Sequence, residues 1–203
     1  MRWLWIGDSH LEAMHSQIRD LTAARGIGGL LSYRRGWSSG RWLREGDVSS
    51  LIARARPDVV AYVLGTNDDP INADDLRGLV QAARTLRAVW IGPFSTDEHD
   101  AEFRAALGSV FVSGYALARG LPFQNVHLTS SGYRALAPRL VAAVAGSQSK
   151  WIGVAVVGCA ALATIGLVAL GSSSTYERRW TAAEPHPFDT RHWNDRPPKR
   201  RAS

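Results

Sequence analysis

Residues 2–10 read RWLWIGDSH. Four apolar side chains run without a break into a glycine, an acid, a serine and a histidine. An apolar run this short, closed by glycine, predicts a buried strand rather than a helix. Residues 10–24 then place Leu11, Met14, Ile18 and Leu21 at helical spacing, which gives one apolar face. A strand that turns directly into an amphipathic helix reads as the first half of a βαβ unit.

Working outward, the alternation repeats. GLLSY (29–33) reads as a strand and VSSLIARA (48–55) as a short helix stopped by Pro57. DVVAYVLG (58–65) and RAVWIG (87–92) are unbroken apolar runs, as expected for central parallel strands covered on both faces. ADDLRGLVQAAR (73–84) opens with acids, which the helix macrodipole favours at its N-terminus. A helix near 98–107, a short strand at 109–112 and a helix at 130–145 complete the pattern. It predicts an α/β doubly wound parallel sheet of about five strands, ordered 2-1-3-4-5.

Composition sets the outer limits. Eight tryptophans and 45% apolar residues are enough for a real core, so general disorder is excluded. The single cysteine, Cys159, rules out an internal disulfide. Net charge is +6, yet residues 1–150 carry 17 basic against 14 acidic groups and residues 172–203 carry 7 against 4. Half the excess therefore sits in a short tail and no basic stripe marks the main body. Nucleic-acid binding is not expected. No signal peptide is visible, because Asp8 interrupts the first apolar run early.

In a doubly wound sheet, ligands sit beyond the carboxyl ends of the strands. Gly7-Asp8-Ser9 occupies such an end. Ser9 falls at a helix N-terminus, where free backbone N–H groups and the dipole favour negative charge. YRRGWSSG, with Gly36, follows the second strand. GTNDD, with Gly65 and Asn67, follows the third. QNVHLTSSGY, with His127, comes late in the domain. Together these supply a nucleophile, a backbone N–H donor, a side-chain amide donor and a general base. Acyl transfer from an ester needs those four parts. No metal-ligand spacing appears, and the chemistry asks for no cofactor.

These blocks resemble the SGNH (GDSL-like) hydrolases over roughly residues 3–140. Gly7-Asp8-Ser9 matches the first block, Gly36 the second-block glycine, and Gly65-Thr66-Asn67-Asp68 the third. His127 with Leu128 to Tyr133 matches the last. The resemblance implies Ser9 as nucleophile and His127 as base. It implies an oxyanion hole from the N–H of Ser9, the N–H of Gly36 and the amide of Asn67. The implied substrates are esters, including acyl lipids and O-acetylated sugars, and a carbohydrate O-deacetylase is within that range.

One position departs from the family pattern. Gln124 stands three residues before His127, where the family usually has Asp. An acid there fixes the imidazole tautomer and stabilises the imidazolium. A glutamine carbonyl still accepts from the ring N–H but brings no charge. Three readings follow: a working Ser–His dyad, a substitute acid among Asp97, Glu98 and Asp100, or a catalytically weak SGNH-fold protein used for binding or structure.

Other residues take plainer roles. His10 adjoins Ser9, but neighbours on a helix point about 100° apart, so it reads as a surface or cleft-wall histidine. Asp8 is expected to hydrogen-bond loop backbone. Trp37 and Trp42 either wall a pocket or pack the core. Tyr133 is expected to pack behind His127.

The last large feature is WIGVAVVGCAALATIGLVAL (151–170), twenty residues without a charge. That length of helix spans about 30 Å, enough to cross a bilayer core. Lys150 and Trp151 stand at one end as interfacial anchors do. The expected organisation is therefore an SGNH-like domain (1–146), a linker (147–150), a single transmembrane helix (151–171) and a polar basic tail (172–203). Arg178 and Arg179 put the tail in the cytoplasm by the positive-inside rule. The tail-anchored orientation instead avoids translocating the domain but moves seven basic residues across. Both orientations stay open, as does a place in a lipid-containing virion. The expectation is a membrane-anchored serine esterase whose partners are its ester substrate and a bilayer, with oligomeric state unassigned. Its alternative is a retired hydrolase fold used for binding.

Overall fold

The computed structural model describes residues 1–83 and 86–159. Five parallel strands form the sheet: β1 (Arg2–Gly7), β2 (Gly28–Tyr33), β3 (Val59–Val63), β4 (Arg87–Ile91) and β5 (Phe111–Val112). Their order is β2-β1-β3-β4-β5, as the alternation predicts. In register, Gly7 lies opposite Tyr33 on β2 and Val63 on β3. The three chain segments that follow these residues therefore leave the sheet side by side.

Alternation along β1 builds both faces of the core. Trp3 and Trp5 face one side, with Leu11, Met14 and Ile18 of α1 (Ser9–Ala23) and Leu136, Leu140 and Val144 of α7 (Ser130–Cys159). Leu4 and Ile6 face the other side. There they meet Trp42 of α2 (Ser39–Glu45), Leu51 of α3 (Val48–Ala55), Leu76 of α4 (Ala73–Ala82) and Phe103 of α5 (Asp100–Leu107). Tyr62 stacks on Trp90 at 5.3 Å in that second layer, and its hydroxyl donates to Leu79 O at 2.6 Å. The result is a sheet sandwiched between two helical layers.

Three features differ from the sequence reading. α2 and the short α6 (Gly114–Ala118) were not expected. Residues 123–128 fold as a tight antiparallel pair, β6 (Phe123–Gln124) and β7 (His127–Leu128), with Gln124 opposite His127 and Asn125 at φ 58° between them. α7 continues past 145 to Cys159, into the apolar segment. Residues 160–171 of the expected span and the whole tail lie outside the described residues. No helix among the described residues is long and apolar enough to cross a membrane.

Candidate active site

Asp8 organises the end of β1. It caps α1, its carboxylate accepting from His10 N–H at 2.9 Å, so the first turn starts at Ser9. Its second oxygen accepts from Asn67 Nδ2 at 3.1 Å, and the same amide reaches Trp37 O at 3.4 Å. Asn67 thereby ties together the segments after β1, β2 and β3. The backbone partner of Asp8 is thus the first turn of α1 rather than a loop, with the Asn67 amide beside it.

The glycines fit their places. Gly36 sits at φ +70°, inside a turn closed by Trp37 N–H to Arg34 O at 3.2 Å. A left-handed residue there favours glycine, and a Cβ would point into open space. At Gly65, φ is +128° and a Cβ would meet Pro93 N at 3.0 Å and Phe103 Cζ at 3.1 Å. Close packing as well as dihedral keeps that loop bare. Beside it, buried Asp68 accepts from both the N–H (2.7 Å) and the hydroxyl (2.5 Å) of Ser39, fastening the start of α2 to the β3 loop. The tryptophans divide: Trp42 is buried and donates from Nε1 to Gly7 O at 3.2 Å, while Trp37 is half-buried under Arg41, 4.8 Å above its ring.

His127 enters from the β6–β7 turn. It is exposed, and its ring centroid lies 4.9 Å from that of His10. The fourth segment thus meets the start of α1. Ser9 is half-buried, and no hydrogen bond joins it to His127 among the described residues. Such contacts often tighten only with substrate bound.

Two sequence expectations are corrected here. Gln124 pairs with His127 through the backbone of the β6–β7 turn, and its exposed side chain does not hold the imidazole. Nor, among the described residues, does the carboxylate of Asp97, Glu98 or Asp100 hydrogen-bond the imidazole. Instead His127 Nδ1 lies 3.0 Å from the Tyr133 hydroxyl. His10 is the second correction. It is fully buried, not at the surface, and its Nδ1 lies 2.9 Å from the same hydroxyl. The missed signal was its spacing, since residues 10, 14 and 18 fall on one helical face. Tyr133 does pack behind His127, as expected.

Burial dominates the electrostatics. It pushes the Asp8 carboxyl up to about 7, aided by the nearby Asp68 charge and opposed by the His10 and Asn67 donors. Asp68 is also raised by burial, against its Ser39 bonds. Burial, with the neighbouring His127, lowers His10 to about 3, so it is neutral near pH 7. The Tyr133 phenol is raised to about 12, chiefly by burial. No cluster among the described residues could hold a metal ion.

No protein-family model and no curated relative matches the chain. Solved structures do. A psychrotrophic esterase from Pseudoalteromonas superimposes with a TM-score of 0.57 at 16% identity, covering 75% of this chain and 98% of that one. A lipase/acylhydrolase from Enterococcus faecalis gives a TM-score of 0.57 at 16% identity, covering 72% and 96%. The chain has the SGNH-hydrolase fold. A family 3 carbohydrate esterase from Clostridium thermocellum matches at a TM-score of 0.52 and 16% identity, covering 68% and 92%. The SGNH fold accounts for the convergence of the four segments at one sheet edge, since strands in this order open their loops on that side.

Proposed function

We propose that the chain is a serine ester hydrolase acting on small acyl esters, with O-acetylated carbohydrate as the favoured substrate class. The observation that carries the reading is the meeting of Ser9, Asn67 and His127 segments at the carboxyl edge, with Ser9 in the first turn of α1. Likeness in fold to structures described as a carbohydrate esterase and an acetyl xylan esterase supports the substrate class.

In this reading the Ser9 hydroxyl gives its proton to His127 Nε2 as Oγ attacks the acyl carbon. The oxyanion is held by the N–H of Ser9, the N–H of Gly36 and the Asn67 amide. Collapse expels the alcohol, which takes the proton from His127. Water then cleaves the acyl-serine by the same exchange. The full chain should turn over p-nitrophenyl acetate, and Ser9→Ala should abolish that turnover. Activity that survives in Ser9→Ala would end the proposal.

A second reading is favoured by one observation: among the described residues no carboxylate hydrogen-bonds His127. On that reading the cleft binds acylated ligands without turnover. Equilibrium binding of an acetylated oligosaccharide without hydrolysis would support it.

For the setting, we propose a single-pass membrane anchor at 151–171, with a polar tail beyond it. The support is the uncharged twenty-residue run and the entry of α7 into it.

A further inference from the structure

We propose that Tyr133 and His10 act as positioning residues that hold His127 in its base-competent tautomer, in a site without the usual carboxylate. This rests on the esterase reading, which asks for a free Nε2 on His127. The geometry is a chain of three groups: His127 Nδ1, the Tyr133 hydroxyl at 3.0 Å, and His10 Nδ1 at 2.9 Å from that hydroxyl.

A phenol has one proton to give and lone pairs to accept with. It therefore donates to only one of the two imidazoles. When it donates to His127 Nδ1, the His127 proton sits on Nε2 and cannot be exchanged for that of Ser9. When it donates to His10 Nδ1, His127 donates from Nδ1 to the phenol oxygen. Its Nε2 is then a lone pair, ready to take the Ser9 proton. The tautomer of His10 decides between these states.

The esterase reading requires the second state, in which His127 Nε2 is free. His10 is fully buried and resists a second proton, so it carries one N–H. Its Nε2 has no hydrogen-bond partner among the described residues. The Phe94 ring packs against the imidazole at 5.0 Å between centroids. An aromatic ring is at best a weak acceptor for N–H, so an N–H at Nε2 without a stronger partner is a cost this state carries. In that state the proton of His10 lies on Nε2, Nδ1 accepts, and the phenol is turned toward His10. During attack the Ser9 proton moves to His127 Nε2 and no proton travels along the chain. The Nδ1–H of the imidazolium stays on the phenol oxygen.

The test combines nitrogen NMR of ¹⁵N-histidine-labelled full chain with kinetics on p-nitrophenyl acetate. The wild type should show His127 protonated at Nδ1 and His10 at Nε2. Tyr133→Phe should move His127 toward the Nε2–H form. It should lower kcat by about 10²-fold, the low end of what general-base assistance supplies, with KM little changed. Adding Gln124→Asp to Tyr133→Phe should restore at least about tenfold of that loss, because a carboxylate opposite His127 can take over Nδ1. A tyrosine that merely packs would not be rescued by a charge on another strand. His127 protonated at Nε2 in the wild type overturns the proposal. So does a Tyr133→Phe variant whose tautomer and kcat are unchanged. If no ester is hydrolysed but the tautomer shifts in Tyr133→Phe, the positioning chain stands and the esterase reading falls.

Discussion

Asn67 shows how much one side chain decides at the residue scale. Its amide joins Asp8 to Trp37 and is also the proposed third oxyanion donor. Asn67→Ala should therefore lower kcat on p-nitrophenyl acetate by about 10²–10³-fold, as removal of one such donor does. It should also leave a separate mark on stability. Asn67 favours the charged form of Asp8. Its loss is felt where that carboxyl is ionised, so the variant should lose more stability at pH 8 than at pH 5, read from paired urea titrations. Equal losses at both pH values would mean that the Asn67–Asp8 bond contributes little. At this scale the sequence was partly legible. Ser9, Gly36, Asn67 and His127 announce themselves because each follows an apolar run and has the right chemistry. His10 and the role of the Tyr133 hydroxyl did not. Adjacency to Ser9 drew attention to what His10 could not do for its neighbour. The same rotation along the helix turns it inward, onto the face of Met14 and Ile18.

Elements were legible in proportion to their burial. β1, β3 and β4 are buried along most of their length, and an unbroken apolar run reveals such strands without help from neighbours. α2 was missed because SGRWLRE opens with Ser-Gly and buries little more than Trp42. Its position depends on Asp68 holding Ser39, a contact spanning 29 residues that no local pattern reveals. The β6–β7 pair was missed because two-residue strands leave no period to read. Two substitutions test how the elements end. Arg56 closes α3 in the left-handed region at φ 44° while exposed to solvent. A side chain there costs about 1–2 kcal/mol, and glycine gives back part of that through unfolded-chain freedom. Arg56→Gly should raise stability by about 0.5–1 kcal/mol in urea titration. At the end of β1, a Cβ on Gly7 would lie 2.6 Å from Leu11 Cβ and 2.8 Å from Val63 O. Neither can retreat freely, so Gly7→Ala should cost about 1–3 kcal/mol and displace Ser9 as well. Unchanged activity and stability would show that the β1–α1 turn is softer than its packing indicates.

At the scale of the whole molecule, the proposed anchor is tested by fractionation. The full chain should sediment with membranes and need detergent, while a chain ending at Gly146 should remain in the aqueous fraction. A full chain that stays monodisperse without detergent would remove the anchor. A further whole-molecule property follows from burying Asp8 and His10 two residues apart. Between about pH 4 and 6.5 the folded protein holds this pair as a neutral acid and a neutral imidazole, one proton in all. Unfolded, the same pair is a carboxylate and an imidazolium, again one proton. Taken singly, the raised Asp8 makes stability fall as pH rises through this window, and the lowered His10 makes it rise. The two slopes, each about 1.4 kcal/mol per pH unit, cancel. Unfolding should therefore draw no net proton from solution at this pair. His10→Gln should leave a stability that declines with rising pH across the window, and Asp8→Asn one that climbs. Calorimetric unfolding in buffers of different ionisation enthalpy would read the proton count directly. A protein assembled from two strained ionisable groups would in this respect be insulated from acid.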